Sequence, residues 1–544
     1  MRNAGKNNRK NGEKNVFMKL TDLFGFDMEK RSFALSETER GTPDPFAPWR
    51  DVKAEKNKEP PFPRSVKEAF ELFSKEFNGG KNGDIVLRRF LTGRRRASLI
   101  VYMNGMADDT KINDFILRPL MTFEGTELTL GGLLEKTVRI GETRLESSVN
   151  EIFLAVMDGM TAFFLDGERE AAILETHGYE KRGIGVPENE KVVSGPKESF
   201  TESIRTNITL LRRQIHEPEL VAETRLSGGG GNTRLAIVYL EGVTNGELVA
   251  EVKKRLGKIK TGGVLTSGML GQMIEDSKNS PLPQILSTER PDRAASHVLQ
   301  GGVCLLAEGS PFALLLPITF FSLMNSPEDV YLRKPLGTML RLIRYAGAGV
   351  SVLLPGYFLS LALYHQGILS TEVLSTVMAS RMMVFEPIAV EMLLLLFMFQ
   401  LIREAGQRVP GNIGQAIGII GGLVMGQAAV TAHLASPVVL IIVAASGLGN
   451  FCIPDYQTQL AASYFRIAAV IAAWMGGLLG LSAAVLAAAS HMAGLKSFGV
   501  PFLAPFAPRT ARKRPLVFRG DIGMHDRPDD MMNTSFDVRS EEGK

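Results

Sequence analysis

Residues 437–495 read PVVLIIVAASGLGNFCIPDYQTQLAASYFRIAAVIAAWMGGLLGLSAAVLAAASHMAGL. They close a run from Val409 to Leu495 whose only charged side chains are Asp455 and Arg466. A soluble domain of that size needs a solvated face rich in Lys, Glu, Asp and Arg. The run therefore excludes a wholly soluble protein and predicts an apolar helical part. The chain-wide averages hide this: 544 residues, 45% hydrophobic, 22% charged, mean hydropathy +0.05 and formal net charge +4. At roughly 100–200 residues per domain, such a length predicts two to four domains.

Crossing about 30 Å of hydrocarbon takes roughly 20 apolar residues. Tyr345–Tyr364, Ile413–Leu434, Pro437–Ile453 and Ile467–Met492 meet that length; a fifth stretch, Pro387–Ile402, is shorter and contains Glu391. Arg333, Lys334, Arg341 and Arg344 place the start of the first span in the cytoplasm, and Arg403 and Arg408 read the same way. Five full crossings would leave the basic RTARKR (509–514) outside, so either one stretch is re-entrant or the last long run doubles back. In GNIGQAIGIIGGLVMGQAAV (411–430), Gly414, Gly418 and Gly422 share one helical face that admits another backbone. That face serves either helix packing or a pore, with Gln415 and Gln427 as polar lining. Glu391 is either an ion-path residue or an ion-paired structural carboxylate. His365, His433 and His491 fall at predicted span ends, where an interfacial position accounts for them.

From about 65 to 325 the pattern is soluble α/β. ASLIVYMNG (97–105) reads as a buried strand ending in a turn, followed by a helix over DDTKINDFILRPLM (108–121) that stops near Pro119. RLAIVYLEG (234–242) and TNGELVAEVKKRL (244–256) repeat that order, with VYMNG and VYLEG offset by 137 residues. TAFFLDGEREAAIL (161–174) and VCLLAEGSPFALLL (303–316) match at an offset of 142, each an apolar run, an acidic residue plus Gly, and a second apolar run. This predicts a β-hairpin in each copy and tandem related subdomains. It also removes 302–324 from the count of spans, since Glu308, Gly309 and Pro311 suit a hairpin better than a bilayer centre.

The expected organisation is a disordered basic tail (1–60), a first α/β subdomain (61–225), a Gly-rich linker (226–234, LSGGGGNTR), a second α/β subdomain (235–330), a transmembrane helical bundle of four to six spans (331–495) and a cytosolic tail (496–544). An apolar patch at Phe17, Leu20, Leu23 and Phe24 suits a local helix inside the tail. The basic, polar amino terminus has no apolar core of a signal peptide, which keeps the large soluble part cytosolic. Cys304 and Cys452 cannot build a disulfide framework, and no Cys/His cluster suggests zinc. The small net charge and the lack of interleaved basic and aromatic residues give no nucleic-acid platform. No P-loop, GxGxxG, GxSxG or HExxH motif occurs. The GGGG at 228–231 lacks a following Lys-Ser/Thr, and Arg94, Arg95 and Arg96 suit a solvated loop. No enzyme, cofactor or metal is expected.

PLPQILSTERPDRAASHVLQGGVCLLAEGSPFALLLP (281–317), SPEDVY (326–331), LIREAGQRVPGNIGQ (401–415), GGLVMGQAAV (421–430) and SFGVPFLAPFAP (497–508) together resemble the A subunit of GerA-type spore germinant receptors. DIVLRRFLTGRRRASLIVYMNG (84–105) and DFILRPLM (114–121) resemble its amino-terminal domain. The resemblance implies a multi-pass protein of the spore inner membrane acting with a transporter-like B subunit that binds the nutrient and a lipoprotein C subunit. It further implies an oligomer that forms an ion path, with Gly414, Gly418 and Gly422, then Gln415 and Glu391, as pore or packing candidates. Glu289 and Arg290 in TERPD (288–292) are candidates for a structural ion pair or a subunit contact. Leu282 stands where the family usually has an aromatic residue, and the charged tail after Pro508 extends past the motifs that carry the resemblance. A SpoVAF-like accessory of dipicolinic-acid release is the first alternative. A membrane-tethered sensor binding a small molecule across the Gly-rich hinge is the second.

Overall fold

The computed structural model describes residues 60–125, 129–178, 185–226, 233–259, 266–408, 422, 424–508, 518–519 and 532. The tail before Pro60, with the patch at Phe17–Phe24, lies outside them, as do Gly414, Gln415 and Gly418.

The α/β part is a duplication, and the turns that the repeat aligns carry it. Gly105 and Gly242 (φ +91° and +83°), Gly159 and Gly301 (+94° and +95°), and Gly167 and Gly309 (+83° and +77°) hold the left-handed backbone that glycine adopts without cost. Each pair falls at the offset of 137 or 142 residues read from the sequence.

Around these turns the first unit runs α1 (Val66–Glu76), β1 (Ile85–Thr92), β2 (Arg96–Met103), α2 (Lys111–Leu117, a π-helical stretch continuing as Arg118–Met121), α3 (Leu130–Lys136), β3 (Thr143–Glu146), α4 (Val149–Met157), β4 (Thr161–Leu165) and β5 (Ala171–Leu174). The second repeats the order as α5 (Ile204–Arg212), β6 (Leu220–Leu226), β7 (Arg234–Leu240), α6 (Gly246–Gly257), α7 (Ser267–Ile274), β8 (Leu286–Thr288), α8 (Pro291–Leu299), β9 (Val303–Ala307) and β10 (Ala313–Leu316). The strand orders correspond, β1-β2-β4-β5-β3 and β6-β7-β9-β10-β8, and every pairing is antiparallel. Helices α1 and α5 even share a cap: Ser65 and Ser203 accept the backbone N–H of Glu68 and Thr206.

Each sheet is covered on both faces, which explains why its central strands read as unbroken apolar runs. Along β2, Leu99, Val101 and Met103 pack under α1 and α4, while Ile100 packs toward α2 and α3. Along β7, Ala236, Val238 and Leu240 face α5 and α8, and Leu235, Ile237 and Tyr239 face α6 and α7. The segment 302–324 forms the β9–β10 hairpin, with Leu314 opposite Leu305, followed by the short helix α9 (Phe320–Met324).

Two sequence expectations are corrected. The Gly-rich stretch is no inter-unit joint: β6 before it and β7 after it pair from Leu220–Leu240 to Leu226–Arg234, so it connects two strands of one sheet. The second unit begins near Phe200, which packs in its core and whose N–H bonds the Glu289 carbonyl. Residues 496–508 are likewise no free tail. Strands β11 (Lys496–Ser497) and β12 (Val500–Pro501) form a small hairpin whose Phe498 and Phe502 enter the two cores flanking the second sheet.

His297 on α8 packs over Gly302, where a Cβ would lie 2.1 Å from the ring, and its Nε2 meets the Leu316 carbonyl at 3.1 Å. Burial, with the nearby Arg293 cation, pushes its pKa down to about 4. The unfolded imidazole titrates near 6.5, so stability is complete above that pH and falls as the pH drops from about 6.5 toward about 4. Because the ring keeps some solvent contact, the loss is roughly 1–3 kcal/mol. Melting curves from pH 7.5 to 4.5 should show a smaller acid shift for His297→Gln than for the wild type.

Candidate functional site: the helical part and its seat on the second unit

The helical part comprises α10 (Lys334–Tyr364), α11 (Thr371–Arg381), α12 (Ile388–Arg408), α13 (Pro437–Phe451) and α14 (Tyr456–Gly494), and residues 424–431 are also helical. Among the described residues, α10 and α14 are the two helices long and apolar enough to cross a membrane; α13, at 15 residues, is shorter. Of the predicted spans, Tyr345–Tyr364 lies in α10, Pro387–Ile402 in α12 and Ile467–Met492 in α14. Of 413–434, residues 413–421 and 423 lie outside the described residues.

Helix α14 has 39 residues but is not straight. Gly476 and Gly477 break it, with Gly477 at φ +56°, ψ −139°. A Cβ on Gly480 would lie 2.0 Å from the Ala472 carbonyl oxygen, whereas eight residues of straight helix span about 12 Å. The last long run therefore doubles back, one of the two outcomes the charge pattern left open. Helix α10 holds the pair of arms together. Its Gly356 lies against both Ala469 and Leu481, and Tyr364 covers Gly477 while its hydroxyl donates to the Trp474 carbonyl at 2.6 Å.

Both feet of this hairpin stand on the second α/β unit. Ala461 and Leu495 join the core formed by α5, α8 and the second sheet, with Phe465 and Met492 packed against it. His491 Nε2 meets Ser280 Oγ at 3.1 Å. Beyond Leu495, Ser497 Oγ donates to the Gln284 carbonyl and accepts from Ile318 N–H, Phe498 N–H donates to Asp276, and the Arg255 guanidinium lies 4.2 Å from the Phe498 ring centroid. At the base of α10, Asp329 is fully buried and held by Arg341 Nε at 3.0 Å and Arg344 at 2.8 and 3.0 Å. Arg519 donates to the Val330 and Leu332 carbonyls there.

The sequence candidates separate in space. Gly422 is helical, and a Cβ on it would meet nothing within 4 Å; Gln427 is exposed. A close helix crossing uses glycines outside the 411–430 run. A Cβ on Gly449 of α13 would sit 2.5 Å from the Gly347 carbonyl of α10. The AGAG at 346–349 was the available signal.

Glu391 is fully buried at the start of α12. Its Oε1 accepts from Ser436 N–H at 2.5 Å and Ser436 Oγ at 2.7 Å, and its Oε2 pairs with Arg381 Nε at 3.3 Å. It thus ties the end of α11 to the cap of α13. Glu391→Ala should cost about 2–3 kcal/mol by orphaning Ser436 N–H and unpairing Arg381. Glu391→Gln, which keeps an acceptor, should cost less than half of that in thermal melts of the purified chain.

Glu289 and Arg290 do not pair with each other. Arg290, 1% exposed, makes a two-point contact with Asp292 at 3.0 and 2.7 Å and donates to the Pro196 carbonyl at 3.1 Å. Glu289 accepts Glu188 N–H at 2.8 Å and the Asn189 side chain. Both residues are buried and fasten 185–199 to the second unit.

A cavity of about 260 Å³ lies between the α/β units, where Gly105, Asp108 and Asp109 of the first face Ser203, Arg205, Thr209 and Arg213 of the second. Asp108 is occupied by the N–H groups of Thr110 and Lys111, and Arg205 stands 3.7 Å from Asp109. Its charges balance. Among the described residues no cluster of His, Cys, Asp or Glu could hold a metal ion.

These features define a chain with duplicated α/β units that seat an apolar helical hairpin. The chain belongs to the Bacillus/Clostridium GerA spore germination protein family, whose profile matches residues 71–530. It is 34% identical to spore germination protein KA of Bacillus subtilis (strain 168), over 79% of this chain and 80% of that protein. With spore germination protein A1 of the same organism it shares 35% identity over 78% and 88%. A crystal structure of the N-terminal domain of the A subunit of the Bacillus megaterium spore germinant receptor GerK3 matches at 28% identity, covering 48% of this chain and 99% of that one, with a TM-score of 0.38.

Proposed function

We propose that this chain is the A-type subunit of a spore nutrient germinant receptor, without enzymatic activity of its own. In this reading it oligomerises in the spore inner membrane with a transporter-like B subunit and a lipoprotein C subunit, and forms or gates an ion path whose opening starts germination. One observation carries the reading. The hairpin of α14 has both feet in the core of the second α/β unit, so a rotation of that unit moves both arms together. Its first arm, 456–475, has a helical length of about 30 Å, the thickness of a bilayer's hydrocarbon. A hairpin that returns to its own side also removes the topological conflict left by the basic segment 509–514.

A second reading has one observation in its favour. The cavity between the units could hold a small ligand and make the chain a membrane-tethered sensor, although its walls are the 105–110 turn and α5 rather than the glycine run. Recording ion release from spores after nutrient addition separates the two. Gly418→Leu and Gln415→Ala should slow release at unchanged protein level if the ion path is here. If both leave release intact while Arg205→Ala in the cleft abolishes the response, the ion-path reading falls. Neighbouring genes for a transporter-like protein and a lipoprotein would favour the receptor subunit; their absence would favour an accessory of dipicolinic-acid release.

A further inference from the structure

Two arginines meet inside the helical part, and among the described residues no carboxylate pairs with either. Arg466 of α14 is 2% exposed and Arg403 of α12 is 8% exposed. Arg466 donates from Nη1 to Ser446 Oγ at 3.1 Å and from Nη2 to Ser463 Oγ at 3.2 Å, which leaves its Nε buried without an acceptor. Arg403 Nη1 reaches the Asn450 amide oxygen at 2.6 Å, in the orientation that also lets the Asn450 nitrogen donate to the Gln459 carbonyl at 3.2 Å; its Nη2 is buried without an acceptor. Asn450 and Ser463 lie side by side at 3.4 Å, so the guanidinium groups flank one polar patch and repel each other across it.

Among the described residues, every acceptor offered to them is neutral. Ser446 Oγ donates to the Ser351 carbonyl at 2.7 Å, and Ser463 Oγ donates to the Gln459 carbonyl at 3.1 Å. The nearby acid Asp455 is engaged by Thr458 N–H and Oγ1 at 2.7 and 2.6 Å. Three other buried arginines have carboxylates: Arg212 has Asp84, Arg290 has Asp292, and Arg341 has Asp329, while Arg519 is held by the Val330 and Leu332 carbonyls. A desolvated guanidinium is tolerated when an anion completes its donor set, and its planar fork fits the oxygens of carboxylate and phosphate.

We propose that Arg403 and Arg466 form a buried anion site that takes one oxyanion of the carboxylate or phosphate class, held between α12, α13 and α14. The free Nε of Arg466 and Nη2 of Arg403 supply its missing donors, and Ser446 and Ser463 fix the arginines' positions. The site stands whether or not the chain conducts ions. An occupied site bridges the helix that carries Glu391 to the hairpin seated on the α/β unit, so its anion strengthens that junction.

The test is a melting titration of the full chain, purified in a neutral detergent, against inorganic phosphate at constant ionic strength set with chloride. Wild type should gain melting temperature saturably, by several degrees. Arg466→Gln should abolish the gain yet melt no lower than wild type in phosphate-free buffer, because it removes an uncompensated charge. Arg403→Lys, which keeps the charge and loses the fork, should need about tenfold more phosphate for half the shift, and it carries the comparison if Arg466→Gln does not fold. A parallel titration with phosphatidylglycerol against phosphatidylcholine identifies the source. A response to the anionic lipid alone assigns the oxyanion to a headgroup, and a response to phosphate assigns it to a soluble ion. No response to either, or a response that survives Arg466→Gln, overturns the proposal.

Discussion

Replacing Arg212 with methionine should destabilise the chain by about 3–5 kcal/mol, the range for breaking one side of a buried ion pair, and should make the two α/β units melt separately. Arg212 ends α5, in the second unit, and is buried against Asp84 of the first, with Nε–Oδ2 at 2.8 Å and Nη2–Oδ1 at 3.1 Å. Nη2 also reaches Asn82 Oδ1, which accepts Ala222 N–H of edge strand β6; Gly83 N–H donates to the Ala222 carbonyl at 3.2 Å. The 82–84 turn thus caps the edge of the second sheet and would otherwise leave its backbone groups open. Loss of Arg212 leaves Asp84 buried and uncompensated, which costs more than the pair contributes. Asp84→Asn together with Arg212→Met should therefore be more stable than Arg212→Met alone. Calorimetry of the wild type and the two variants checks both statements. A single transition with an unchanged midpoint for Arg212→Met would show that the units are joined by other means.

The duplication was legible because it rests on local chemistry. Turn glycines that need φ > 0 and apolar runs buried on both faces leave a mark at fixed offsets. The hairpin over 302–324 was legible for the same reason, through Glu308 and Gly309. What failed were inferences from composition alone. Four glycines resembled a flexible joint, yet the pairing of β6 with β7 determines where they lie, and pairing is not a property of the glycines. SFGVPFLAPFAP followed an apolar run and read as the start of a tail; its Phe498 and Phe502 are core residues of a unit that begins some 300 residues earlier. Glu289 and Arg290 looked like each other's partners because they are adjacent. Adjacent side chains in extended backbone point apart, and each found its partner in 185–199 or at Asp292. Arg403 and Arg466 are 63 positions apart in sequence, so only the packing of α12 against α13 and α14 brings them to one polar patch.

Gly480→Ala should prevent the α14 hairpin from closing, a loss above about 4 kcal/mol that puts the variant among the exceptional single substitutions. The added Cβ would sit 2.0 Å from the Ala472 carbonyl oxygen and 2.9 Å from its carbon, and both belong to backbone that cannot swing aside as a side chain can. Relief requires the arms to separate, which pulls Leu481 from Gly356 and Tyr364 from Gly477. Gly477→Ala should be milder, about 1–3 kcal/mol for a positive-φ conformation that glycine alone adopts readily, plus the crowding of the Tyr364 ring at 3.0 Å. Gly476→Ala is the control: nothing lies within 4 Å of its Cβ and its φ of −140° suits any residue, so it should stay within about 1 kcal/mol of the wild type. Three glycines within five residues thus receive three different costs, set by what each Cβ meets. The order Gly480, then Gly477, then Gly476 in yield of folded protein and in melting temperature tests the hairpin directly. If α14 were one straight helix, Gly480→Ala and Gly476→Ala would both stabilise it, since alanine is the better helix former.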